Sequence, residues 1–331
     1  MQSLIFSFYF TLTLFVFINV SNSQSNTTKT IIVDQSGKGS FIKVQQAIDS
    51  IPLNNQEWTI IHLNAGVYIE KVQIPQDKQY IILEGESNSL SVIQYGDFGS
   101  SLESSTFQLY ADNFMARDIT FKNTLDHATF ILSDDLITWA PAAFIQGDKV
   151  SFHHCSFVGL QDTLTDWKGR HYFEHCYFEG AIDFIWGDGQ SIYQNSKINV
   201  TASRMSSGNA YITAQSRESE NDTSGFVFKY CKVIGTGPAF LGRAYGNYSR
   251  VVFFNTLLDN IIAPSGWDAW QNVGKEETIS YSEIGCRGPG ANMSKRVTWE
   301  KKLTGEEVNK LIDIDLFINQ EKWIEEQLKH Q

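Results

Sequence analysis

Residues 155–162 and 176–183 carry one phrase twice, 21 residues apart: Cys-Ser-Phe-Val-Gly-Leu-Gln-Asp and Cys-Tyr-Phe-Glu-Gly-Ala-Ile-Asp. Cys, aromatic, Gly and Asp recur at the same offsets, so the two segments take the same local conformation. A period of this size suits a β-solenoid whose coils stack one strand spacing apart, about 4.8 Å. The phrase echoes elsewhere, in Arg117-Asp118-Ile-Thr-Phe121, Tyr230-Cys231-Lys-Val233 and Phe254-Asn255-Thr-Leu257. Between Thr106 and Asp259 the chain is a succession of short runs rich in Phe, Tyr, Val and Ile, punctuated by Gly, Asn and Asp. A β-sandwich also produces many short strands, but recurrence of residue identities favours the solenoid. Helical periodicity is confined to the ends, at Phe41–Ile51, Thr304–Ile312 and Ile318–Leu328, where helices are expected to cover open coil edges. The fold class is therefore read as all-β, a β-solenoid with short capping helices.

Stacked coils have two consequences. Asp162 lies on Asp183, and two carboxylates so close do not both ionise easily; one holds a proton while the other keeps its charge. That is the division needed for acid/base plus nucleophilic chemistry. Cys155 likewise lies on Cys176, with Cα atoms within disulfide range, and a Cys155–Cys176 bond is expected. Cys231 and Cys286 have no assigned partner.

The first 23 residues contain no charged side chain and are mostly apolar from Leu4 to Val20, ending in small residues at Ser21 and Ser23. This reads as a secretory signal cut before Gln24 rather than a membrane anchor, because polar residues interrupt it and basic flanks are lacking. About 308 residues remain, with six prolines in the whole chain and no low-complexity linker, which favours a single domain over 24–331. The net charge of −11 without a basic cluster argues against nucleic acid and anionic membranes. Sequons at Asn26, Asn199, Asn221, Asn247 and Asn292 fit an exported glycoprotein. His171, Glu174 and His175 alternate across a strand with no third ligand in view, so no metal site is expected.

Seven segments, taken in order, resemble the plant pectin methylesterases (pectinesterases). They are Gly66-Val-Tyr68-Ile-Glu70-Lys-Val72, Ala116-Arg-Asp-Ile-Thr-Phe121-Lys-Asn-Thr124, Gly159-Leu-Gln161-Asp162-Thr163-Leu164, Asp183-Phe-Ile-Trp-Gly187, Ile212-Thr-Ala-Gln215, Leu241-Gly-Arg243 and Gly266-Trp267-Asp-Ala-Trp270. The resemblance spans Ile31 to Glu300 and implies a right-handed parallel β-helix of the short form, without a pro-region. It implies a secreted cell-wall enzyme that hydrolyses methyl esters of homogalacturonan, needing no cofactor or metal. Asp183 becomes the nucleophile, Asp162 the proton donor and later base, and Gln161 the oxyanion donor. Arg243 pairs with Asp183, and Thr106 and Tyr245 contact the sugar. The implied partners are pectin and, as a candidate, a proteinaceous pectinesterase inhibitor; a monomer is expected.

Two positions depart from the family. Trp139, in Trp-Ala-Pro-Ala-Ala-Phe144, stands where a second oxyanion glutamine is usual, and losing such a donor costs about 10²–10³ in turnover. Gln146 is seven residues out of register with that place. Tyr245 stands for a tryptophan, a milder change because tyrosine still stacks on sugars. Trp267 and Trp270 read equally as core or as sugar platforms, whereas Tyr68 and Glu70 read as structural. The reading is an esterase slowed by Trp139. The alternatives are a non-catalytic pectin-binding wall protein and, further off, a lyase or polygalacturonase, whose carboxylate clusters are not evident. The acidic charge predicts scattered rather than blockwise demethylation.

Overall fold

The computed structural model describes residues 28–125, 139–205 and 208–330. The signal segment Met1–Ser23 with its cleavage point, the Asn26 sequon and most of the long loop between Thr124 and Trp139 lie outside these. Three parallel sheets of ten, eight and eight strands run the length of the molecule, and each coil adds one strand to each sheet. One coil consists of Val150–His153, Ser156–Val158 and Leu164–Asp166. The next consists of Arg170–Glu174, Tyr177–Gly180 and Ile185–Gly187. Phe152 pairs with Phe173, Phe157 with Phe178 and Leu164 with Ile185, so the 21-residue repeat is the register between these two coils in all three sheets. This is the solenoid expected from the repeats and the parallel β-helix that the resemblance implies.

In-register stacking superimposes like side chains, and the aromatic repeats turn it into the core. Rings of Phe152, Phe173, Tyr193, Phe228 and Phe253 form one column, with successive centroids 4.5–5.2 Å apart and planes within 16° of parallel. Phe121, Phe157 and Phe178 form a second column at 5.5 and 5.3 Å. Each ring is fully buried, so each deletion to alanine is expected to cost about 3–5 kcal/mol.

A third column corrects the disulfide expectation: all four cysteines are free thiols. Cys155, Cys176, Ser196, Cys231, Thr256 and Cys286 each follow a residue in the left-handed region, namely His154, His175, Asn195, Tyr230, Asn255 and Gly285. Each thiol or hydroxyl donates to the carbonyl two residues back, from Cys155 to His153 at 3.4 Å and from Ser196 to Gln194 at 3.0 Å, for example. Equivalent residues of parallel coils point their Cα–Cβ bonds the same way. Their Cβ atoms therefore stay near one strand spacing apart, beyond the 3.5–4.5 Å that a disulfide spans. Cα proximity was the right observation; the direction of the side chains decides against the bond. The same column accounts for Cys231 and Cys286.

The ends are closed in two ways. Helix α1 (Val44–Asp49) buries Val44, Ala47 and Ile48 against the first coils. Its first N–H groups, at Val44 and Gln45, are accepted by the Glu70 carboxylate at 2.9 and 3.1 Å, and Tyr68 Oη donates to the Val33 and Asn64 carbonyls. At the other end the segment before helix α2 covers the last strand, Ser280–Ile284: Lys301 N–H donates to Tyr281 O, and Glu300 accepts from Glu283 N–H. Helices α2 (Gly305–Ile312), α3 (Ile314–Phe317) and α4 (Trp323–Leu328), expected to cover the last coil's edge, instead run along the outer face of the ten-stranded sheet. Phe317, Ile318, Trp323 and Ile324 pack there on Tyr172, Ile192, Val227 and Val252. No described helix is long and apolar enough to cross a membrane.

Candidate active site

Asp162 and Asp183 sit on equivalent turns of adjacent coils. The pairings Gln161 with Ile182 and Leu164 with Ile185 put them in register, and Asp162 N–H donates to Ile182 O at 3.0 Å. Both have left-handed backbone, φ +55° and +47°, a conformation that aspartate tolerates better than most residues. The glycine three residues earlier is what lets this turn close. A Cβ at Gly180 would meet Phe184 Cβ at 2.3 Å, and one at Gly159 would meet Thr163 Oγ1 at 2.7 Å.

Each carboxylate has its own partner. Arg243 grips Asp183 with both arms of its fork, Nε to Oδ1 at 2.8 Å and Nη2 to Oδ2. The guanidinium is held between the rings of Tyr211 and Trp270, 4.5 and 4.3 Å from their centroids. Asp268 orders both plates, accepting from Tyr211 Oη at 3.0 Å and from Trp270 N–H at 2.8 Å. Asp162 receives a different donor, Ser101 Oγ, 2.9 Å from its Oδ2.

Burial raises both carboxyls above their ordinary value, and the partners separate them. Asp162 is driven well up, by burial first and then by the neighbouring Asp183 charge. Asp183 is also raised by burial, against the pull of the Arg243 hydrogen bonds and charge. Arg243 thus keeps Asp183 the more acidic of the two. The pair offers one proton donor and one carboxylate nucleophile side by side.

These groups open into a cleft of about 420 Å³. Gln161, Trp139, Tyr245, Trp186 and Trp270 line it with the two aspartates and Arg243. Trp139 presents its indole to the cleft and is 43% exposed. Gln146 does not compensate: it is exposed and takes no part in the cleft lining. Thr106 is a correction. It is fully buried just before the strand Phe107–Leu109, and its hydroxyl donates to Lys122 O at 3.0 Å. Trp267 is core, stacked near Tyr281 at 4.6 Å, whereas Trp270 belongs to the cleft. His171 is interior, bound to Asp166 and Gly147 O, while His175 stacks on His154 at 5.3 Å. Among the described residues no cluster could hold a metal. Of the described sequons, Asn221, Asn247 and Asn292 are exposed and Asn199 is half-buried. Ser101 and Tyr211 escaped sequence reading and carry no repeat or motif signal of their own; Trp186 stood inside the Asp183–Gly187 segment without being given a role.

The family model for pectinesterase matches residues 30–320. The chain is 45% identical over 298 residues to probable pectinesterase 29 of Arabidopsis thaliana, covering 89% of each. It is 45% identical to probable pectinesterase 55 of the same plant, covering 89% of this chain and 90% of that one. Its structure superimposes on a pectin methylesterase from carrot with a TM-score of 0.84 at 27% identity, covering 92% of this chain and 97% of the other. A three-sheet parallel β-helix with paired acids in its cleft, matched along nearly its whole described length, makes this chain a member of the pectinesterase family of carboxylic ester hydrolases.

Proposed function

We propose that this protein demethylates homogalacturonan in the plant cell wall, with Asp183 as nucleophile and Asp162 as acid and then base. The observation that carries the reading is the in-register aspartate pair with Arg243 on one member only. Asp183 attacks the ester carbonyl carbon, and the oxyanion forms beside the Gln161 amide. As the C–O bond to the methoxy group breaks, Asp162 gives it a proton and methanol leaves. The resulting acyl–Asp183 anhydride is opened by water, whose proton passes to Asp162. Asp183 departs as carboxylate and the sugar acid is released. The exposed rings of Tyr245 and Trp139, with Trp270, are sugar platforms. Secretion, glycosylation at exposed sequons, a monomeric state and scattered demethylation complete the reading, and an inhibitor protein is a candidate partner at the cleft.

Methanol release from methylesterified pectin, with Asp183→Asn as control, tests it. Release by the wild type and none by the variant is the expected result. An indole from Trp139 in the cleft lining, where the family resemblance leads one to expect a glutamine, favours a second reading, a wall protein that binds pectin without turnover. Retention on pectin with no methanol from folded protein would establish that one instead.

A further inference from the structure

The segment from Asp97 to Ser105 lines the cleft through Gly99–Leu102 and belongs to neither coil of the aspartate pair. It is pinned from several sides. Lys71 Nζ bridges its ends, bonding Asp97 at 2.6 Å and Glu103 O at 2.5 Å. Ser100 and Ser104 close the turn on each other, with Ser104 Oγ accepting from Ser100 N–H at 3.0 Å. Gly99, at φ +109°, donates its N–H to Trp139 O at 3.0 Å, so the Trp139 backbone supports this loop. At the tip Ser101 Oγ meets Asp162 Oδ2 at 2.9 Å, while Ser101 O is held by Ser105 Oγ at 3.1 Å.

We infer that Ser101 is a positioning residue for ester hydrolysis: its hydroxyl holds Oδ2 of Asp162 and leaves Oδ1 to carry the proton to the leaving methoxy group and back from water. The inference rests on the role proposed above for Asp162. A carboxyl attached to a turn by one χ1 bond has two equivalent oxygens, and both protonation and aim depend on which is engaged. A fixed hydroxyl removes that degeneracy in a site where a small misplacement costs rate. It also favours the ionised form, countering burial and the Asp183 charge, so the acid is not locked in its neutral state. The loop, not the coil register, supplies this control. Asp183 needs no equivalent, because Arg243 engages both of its oxygens.

Ser101→Ala should lower kcat about tenfold with KM little changed, on the scale of one hydrogen bond to a charged group. Losing a donor that favours the ionised form lets Asp162 titrate higher, so the alkaline limb of kcat/KM should move to higher pH. Ser101→Thr keeps the hydroxyl and should restore both rate and limb. A superimposable pH profile in Ser101→Ala, or a threonine variant no better than alanine, overturns the inference while leaving Asp162→Asn and Asp183→Asn inactive. Should the wild type release no methanol, the proposed function fails separately. The ¹³C-carboxyl titration of Asp162 then reads the contact directly: an upward move in Ser101→Ala supports it, and no move refutes it.

Discussion

Two columns of this solenoid arise from the same 21-residue offset and end in opposite chemistry. In one, Cys155 stacks on Cys176 inside the coil, and each thiol donates to a backbone carbonyl. Burial raises these thiols, Cys155 to about 12, so neither is a thiolate and neither is oxidised to its neighbour. In the other, Asp162 stacks on Asp183 at the wall of a cleft, and the two members have unlike partners, a hydroxyl and a guanidinium. Repetition makes like residues neighbours in both places. Chemistry follows only where something from outside the repeat treats the two copies differently. Asp166 makes the same point: fully buried, it is satisfied by His171 and Tyr193 and faces no cleft.

The contrast is broken most severely at Asp183. Asp183→Asn should lower kcat by about 10⁴-fold or more, since a nucleophile and its paired charge are lost together. An Asn variant within tenfold of wild type in the methanol assay would remove Asp183 from the chemistry. Asp162→Asn should cost about 10²–10⁴, the range of general acid–base catalysis, and spare pectin binding measured by retention on substrate. Trp139→Gln should raise turnover about tenfold to a hundredfold by restoring an oxyanion donor; an unchanged or lower rate shows that the indole is not the limitation.

The pH dependence sharpens the asymmetry. Attack needs Asp183 ionised and Asp162 protonated, so kcat/KM should rise with pH through the Asp183 titration and fall through that of Asp162. Burial raises both, which moves the active window above the ordinary carboxylate range. For stability the sign is also definite. The folded state holds the Asp162 proton more tightly than the unfolded chain. That contribution is whole below the unfolded value and is lost as pH rises through the folded one. Asp162→Asn should therefore melt a few degrees above wild type near neutral pH and lose that advantage in strong acid; a lower Tm at neutral pH contradicts the burial argument. The thiol column carries the smallest effect: thermal unfolding should be the same with and without reductant, and a Tm that drops on reduction would mean a disulfide after all.

Much of this was legible in the residues. The repeat spacing is the sheet register, because a solenoid coil cannot slip without moving every inward aromatic off its column. The helical ends were legible too, although of the stretch read as one helix from Ile318 only Trp323–Leu328 is helical, and a separate short helix, Ile314–Phe317, capped by Asp313, precedes it. The tryptophans were not separable: Trp267 and Trp270 share one motif, and only the packing sends the first into the core and the second over Arg243. Thr106 carried a family expectation that its burial does not support.

The chain alone determined that coils stack, that equal letters become neighbours, and that two acids therefore share a turn, since backbone period and hydrogen-bond register are local properties. Which neighbours point toward each other, and which distant group reaches them, was settled in three dimensions. Ser101 and Arg243 come from 61 and 60 residues away, through loops and coils whose side-chain directions no spacing encodes. Parallel Cβ vectors likewise keep the stacked cysteines apart.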